Sequence, residues 1–166
     1  MTASKSYPGS KLSIAELRTL ADEAVKHGRW MIRGFGPDYK SPSSAAKGFA
    51  WNPPGEWTRA PDFNTQNQCG GGLHGQDATW GGYFEGTILA FCEHRGGYVA
   101  MDNKIKVEEA RILLIDELPD GLVFNGELSV SGCGLQTLNA PEAVRVYVSC
   151  CTALQTLNAP KAEIVE

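Results

Sequence analysis

The C-terminal third of the chain repeats itself, and that repetition restricts its fold more than any other feature. Leu128, Val130, Cys133, Leu135, Leu138 and Pro141 return as Val146, Val148, Cys151, Leu154, Leu157 and Pro160. The offset is 18 residues through the cysteine and 19 after one insertion. A degenerate earlier copy runs from Ile112 and Leu114 to Leu118, Pro119 and Leu122. Alternating apolar residues predict a short strand in each copy. The cysteine turns inward beneath the following bend, two leucines fill the stack, and proline turns the chain back. Cys133 and Cys151 are therefore read as structural, and Cys150, on the opposite side of its strand, as the exposed thiol.

Both clear copies satisfy the leucine-rich-repeat core L-x-L-x-x-[N/C]-x-L, the second with one extra residue before its leucine. The expected class is accordingly α+β. A small, mainly antiparallel sheet domain over 1–110, with one prominent N-terminal helix, is followed over 111–166 by a short leucine-rich-repeat-like β-solenoid. Its strands are expected near 112–115, 128–131 and 146–149. A further strand begins at Glu163 with no amphipathic cap after it, so the end is expected either to cap itself with charge or to be covered by a partner or a second copy.

The helix announces itself at Ser13. Ser13 and Glu16 make a capping box, and Ile14, Leu17, Leu20, Ala21, Ala24 and Val25 form one apolar face. Gly28 closes it. A short strand follows at Trp30-Met31-Ile32. The stretch 49–68 is irregular but carries Phe49, Trp51, Trp57 and Phe63, so an ordered, packed loop is expected. Strands are predicted over 87–92 and 98–101, separated by a turn at Gly96-Gly97.

Charge and composition exclude several roles. The 166 residues carry a formal charge of −4, and the cations are scattered, which disfavours a nucleic-acid partner. No apolar run reaches membrane-spanning length, and the start lacks the apolar core of a signal peptide. The expected location is cytoplasmic. Five cysteines in a spacing unlike a secreted disulfide framework fit reduced thiols.

Chemistry concentrates at Cys69-Gly70-Gly71-Gly72-Leu73-His74-Gly75, for which three readings stand. Cys69, His74, Cys92 and His94 form C-x4-H followed by C-x-H, a ligand set zinc would accept. Alternatively, the glycines permit a tight turn, His74 donates to a backbone carbonyl, and Trp80 and Tyr83 pack over it. The third reading rests on a resemblance. Gly72-Leu73-His74, with Ala78 and Tyr83, is similar to the central G-[ILF]-[YH]-x-A…Y segment of ADP-ribosyltransferases, and Arg33-Gly34 looks like their first-strand Arg-Gly. That resemblance implies NAD as cofactor, Arg33 holding the dinucleotide beside His74 and Tyr83, and Glu108 or Glu109 in place of the late glutamate. A carboxylate there would stabilise oxocarbenium charge as nicotinamide leaves. Gly75 stands where an aromatic residue is usual, and no E-x-E or Q-x-E is present.

Joined together, Cys69, Gly72, Leu73, His74 and the run from Lys104 to Pro119, followed by short repeats, resemble proteins encoded by phages and prophages. There a similar N-terminal domain precedes a β-solenoid or leucine-rich tail. The resemblance implies expression inside a bacterial host and an interaction with a host protein in takeover or counter-defence. The contact surface is then expected on the outward strand positions Ser129, Ser131, Arg145, Tyr147 and Ser149, since Arg and Tyr favour interfaces.

Overall fold

The computed structural model describes residues 5–42, 49–78, 86–102 and 104–165. Helix α1 spans Ile14–Lys26 and begins as its sequence predicts: Ser13 Oγ accepts from Glu16 N at 3.2 Å, and Glu16 Oε2 accepts from Ser13 N at 2.8 Å. Gly28 follows its end with φ +64°, a left-handed position that glycine takes without a Cβ penalty. Leu17, Ala21 and Ala24 are fully buried beneath it.

The strands before the repeats are antiparallel. β1 (Trp30–Phe35) pairs with β4 (Ile88–Ala100), which pairs in turn with β5 (Ile105–Ile115). The short β2 (Thr58–Arg59) and β3 (Leu73–Gly75) both pair with β5. Just after β3, Gln76 and Ile32 exchange two backbone bonds, at 2.7 and 2.8 Å. This links the end of β3 to β1, so β1, β4, β5 and β3 close a ring of pairings. The period-two alternation of strands then sorts side chains between two cores. Met31 and Phe35 join Trp51, Leu73, Ala90, Cys92, Ile105, Val107 and Ile112 on one face. Trp30 and Ile32 join Leu89, Phe91 and α1 on the other. Between Phe91 and Cys92 the register shifts by one residue, and Leu113 and Leu114 both enter the core under α1.

The turn expected at Gly96-Gly97 is not formed. β4 runs through both glycines as one strand of 13 residues, with an irregularity between Arg95 and Tyr98. The glycines serve close approach instead. A Cβ on Gly97 would lie 2.3 Å from the Phe63 ring, and Gly97 N donates to Glu108 Oε2 at 3.0 Å. The hairpin turn lies later, where Met101 N donates to Lys104 O.

The expected class is corrected by the structure. The chain is mostly antiparallel β sheet with one helix, 11% helix and 38% strand, and no solenoid is found among the described residues. The repeats do pair in parallel. β6 (Glu127–Ser131), β8 (Arg145–Ser149) and β10 (Glu163–Val165) make one small sheet, while β7 (Thr137–Asn139) and β9 (Thr156–Asn158) make another. A solenoid repeat, however, buries its inner face on its neighbouring repeats. Here Leu128, Val130, Cys133, Leu135 and Leu138 share a single cluster with Leu17, Phe91, Leu113 and Phe124. With only two clear copies, the repeats cannot close a core of their own and fold onto the antiparallel sheet and α1.

Candidate functional site

The segment Cys69–Gly75 is built around a residue that its own sequence does not contain. Lys106 stands in β5 opposite His74 of β3 and is fully buried. Its Nζ donates to Asn64 Oδ1 at 3.1 Å and to the carbonyls of Gln66, Gln68 and Gly70 at 2.6, 3.3 and 3.2 Å. The loop thus wraps a buried ammonium with oxygen acceptors, which is how such a charge is tolerated away from water. The glycines follow from that wrapping: a Cβ on Gly72 would lie 2.3 Å from Lys106 Cγ, and one on Gly71 would lie 1.9 Å from Asn64 Nδ2.

Arg33 and His74 do meet, but through the backbone. Arg33 Nη1 donates to His74 O at 2.8 Å, Nη2 donates to Ser41 Oγ at 2.8 Å, and the guanidinium lies over the Phe35 and Trp51 rings. Trp51 itself is buried, as expected of the aromatic loop. The His74 imidazole does not make the carbonyl bond expected of it at Nδ1, which is buried without a partner among the described residues. Burial, reinforced by Lys104, Arg33 and Lys106, pulls its pKa down to about 4. His74 is therefore neutral at pH 7, an acceptor rather than a cation.

That shift has a measurable sign. The unfolded histidine protonates near 6.5, whereas the folded one stays neutral to about 4. Between those values the unfolded state binds more protons, so stability falls as pH falls through that window. His94, also depressed by burial, acts in the same direction. Proton NMR titration should place the His74 inflection near 4, and His74→Gln should flatten the acid limb of the stability profile. A His74 inflection near 6.5 would contradict the buried, cation-flanked environment.

The carboxylates expected beside this histidine are engaged elsewhere. Glu108 pairs with Arg59 at 2.8 Å; Glu109 pairs with Arg95 at 2.6 Å and with Arg59 at 3.6 Å. Trp57 sits between the guanidinium groups of Arg95 and Arg111, at 3.9 and 4.6 Å from its ring centre. Glu93 extends the array by binding Arg111 at 2.6 Å. This network ties β2, β4 and β5 together with alternating charge. Tyr83 lies outside the described residues.

The four expected metal ligands, Cys69, His74, Cys92 and His94, do not form a cluster among the described residues. Cys69 is exposed and accepts from Lys104 Nζ at 3.2 Å; that ammonium holds its pKa below the ordinary thiol value. Cys92 is sealed in the interior, where burial pushes its pKa up to about 12. His94 stacks on Tyr98, and no group of three or more metal-ligating side chains forms among the described residues. The spacing C-x4-H…C-x-H misleads because Cys92 and His94 follow the strand, while Cys69 follows the loop that Lys106 organises.

The outward strand positions of the repeats form a coherent surface. Parallel register aligns Glu127, Arg145 and Glu163 across β6, β8 and β10. Arg145 reaches both carboxylates at 3.1 Å and the Tyr147 hydroxyl at 3.3 Å. Ser129 lies beside Tyr147, and Ser131 beside Ser149. Glu127 and Glu163, which complete the row, are missed when each repeat is read alone; their 18-residue spacing from Arg145 is the signal that finds them.

A cleft of about 550 Å³ opens where α1, the end of β5 and the first repeat meet. Arg18, Asp116, Glu117, Leu135, Gln136 and Asn139 are among its lining residues, and none of the expected site residues is. Arg18 and Glu117 close one wall with paired bonds of 2.6 and 3.0 Å. Among the described residues no helix is long and apolar enough to cross a membrane. No protein-family model, curated protein or solved structure matches the chain.

Proposed function

We propose that the chain is a protein-interaction module of the phage and prophage type, acting inside a bacterial cell and binding a host protein. The contact face is the outer surface of β6, β8 and β10, with Arg145 and Tyr147 at its centre and Ser129, Ser131 and Ser149 beside them. The observation that carries the reading is the row Glu127–Arg145–Glu163 with Tyr147 bonded to it. Arg and Tyr are the side chains most often found at binding hot spots. Here their rotamers are held by neighbours before any partner arrives, so less side-chain freedom is lost on association. Leu128, Val130 and Val146 are buried beneath the face and keep it rigid. Two carboxylates flanking one guanidinium suit a partner that brings a basic side chain to the row.

Arg145→Ala with Tyr147→Ala should abolish capture of the host partner from bacterial lysate and leave the melting temperature nearly unchanged, because both side chains project from the surface. Capture that survives the double substitution would place the binding face elsewhere. If the partner is a second copy, sedimentation of the purified protein would show a dimer that the same substitutions dissociate.

The ADP-ribosyltransferase-like alternative draws support from the Arg33 bond to the His74 carbonyl, which joins the two segments carrying that resemblance. It is the weaker reading, because Glu108 and Glu109 are neutralised by Arg59 and Arg95 instead of facing His74.

A further inference from the structure

Cys133 and Cys151 occupy the same place in successive repeats, and their sulfurs are 3.7 Å apart. The alignment is enforced by the backbone. Val130 pairs with Val148 and Ser131 with Ser149, and Gly132 N then donates to Ser149 O at 3.0 Å. Neighbouring strands lie about 4.8 Å apart, within the Cα separation that a disulfide spans. Both thiols turn inward: Cys133 is buried, and Cys151 also approaches the Val130 carbonyl at 3.6 Å. Cys150 points outward beside Ser149, with φ +54°, so the vicinal cysteine is directed away from the pair.

We propose that Cys133 and Cys151 form a reversible intrachain disulfide that staples the first repeat to the second. The proposal stands independently of the binding face above. The oxidant is a low-molecular-weight disulfide such as oxidised glutathione. Cys151, the more accessible of the two, attacks as thiolate, forms a mixed disulfide and releases one thiol. Cys133 then gives up its proton and attacks the Cys151 sulfur, the new S–S bond forms, and the second thiol leaves. Two protein thiols are oxidised and one external disulfide is reduced. Burial, with Cys151 and Asp116 close by, pushes the Cys133 pKa up to about 12, so the second step is slow at neutral pH and speeds up as pH rises.

The test uses the full chain carrying Cys69→Ser and Cys150→Ser, which removes the two exposed thiols. After incubation with oxidised glutathione at mildly alkaline pH, the intact mass should fall by two hydrogens. Cleavage after Arg111, Arg145 and Lys161 places Cys133 and Cys151 in separate peptides, which should appear joined. The melting temperature should rise by roughly 5–10 °C, as closing a loop of this length restricts the unfolded chain. Dithiothreitol should reverse both changes, and adding Cys133→Ala should abolish both. In the unsubstituted chain the same joined peptides should form. A glutathione adduct that persists on Cys151 beside a free Cys133, a Cys150–Cys151 bond in the unsubstituted chain, or an unchanged mass would each overturn the proposal.

Discussion

Lys106→Met should lower the stability of the folded chain by about 1.5–3 kcal/mol, the range for hydrogen bonds made by a charged group, because the partners left behind are neutral. Methionine keeps the apolar stem, so the packing of β5 changes little, and the loss falls on the ammonium. Asn64 Oδ1 and the carbonyls of Gln66, Gln68 and Gly70 would lose their common donor at once. The loop has no apolar centre to replace the cation, and because Gln66, Gln68 and Gly70 are exposed, their carbonyls find water as the loop opens. The loop should open before the rest of the fold does. Hydrogen exchange at the Asn64 and Gly72 amides and proteolysis between 64 and 71 would read that opening, and denaturant titration would read the global loss. Gly72→Ala should reach a similar end by another route, because its Cβ would displace the lysine stem. A Lys106→Met protein with unchanged stability and a protected loop would show that the cage does not hold this segment.

A larger loss, about 3–5 kcal/mol, is expected for Phe124→Ala. Phe124 is fully buried and meets Trp30 edge to face, with ring centres 5.9 Å apart. It lies on the connection between β5 and β6, and its cluster contains residues from α1, the antiparallel strands and both repeats. The cavity left by its truncation therefore weakens the junction from both sides. A cluster shared by α1, the antiparallel strands and both repeats couples their unfolding, so thermal unfolding should show a single transition in the parent chain. The variant should show the same single transition at lower temperature. Two separated transitions in the parent, or a variant in which only the repeats melt early, would divide the chain near residue 110.

Much of the local structure could be read directly from the chain. The capping box and Gly28 delimited α1, since both signals act within one turn of backbone. The 18- and 19-residue offsets predicted which residues would stand side by side, and Leu138 pairs with Leu157 as Leu128 does with Val146. The inward thiols Cys133 and Cys151 and the exposed Cys150 agree with the reading of the repeats, but they lie just past the strand ends, where the left-handed Gly132 (φ +64°) and Cys150 (φ +54°) reverse the alternation that runs through Val130 and Val148. The glycines were harder to read, because the same residue serves a turn, a bulge or a close approach. Gly96-Gly97 resembled a turn, yet it accommodates Phe63 and Glu108 inside a continuous strand. Gly71-Gly72 fitted a tight turn, yet the pair also makes room for Asn64 and Lys106.

The candidate site divides along the same line. Sequence spacing assembled Cys69, His74, Cys92 and His94 into a metal set, and the resemblance to ADP-ribosyltransferases implied Glu108 or Glu109 near an NAD site. The metal set does not form among the described residues, and the two glutamates pair with arginines, because those residues belong to strands and loops whose pairings are set by distant partners. Glu108 and Glu109 face Arg59 and Arg95, and Cys92 faces the closed interior. What the sequence determined by itself is the short-range and periodic part: one capped helix, the strand alternation and the stacking partners of the repeats. Tertiary structure alone decided that the repeats share their core with the antiparallel strands and that Lys106 is the centre of the glycine loop. Burial and ion pairing depend on contacts far apart along the chain, and only the closed fold brings those residues together.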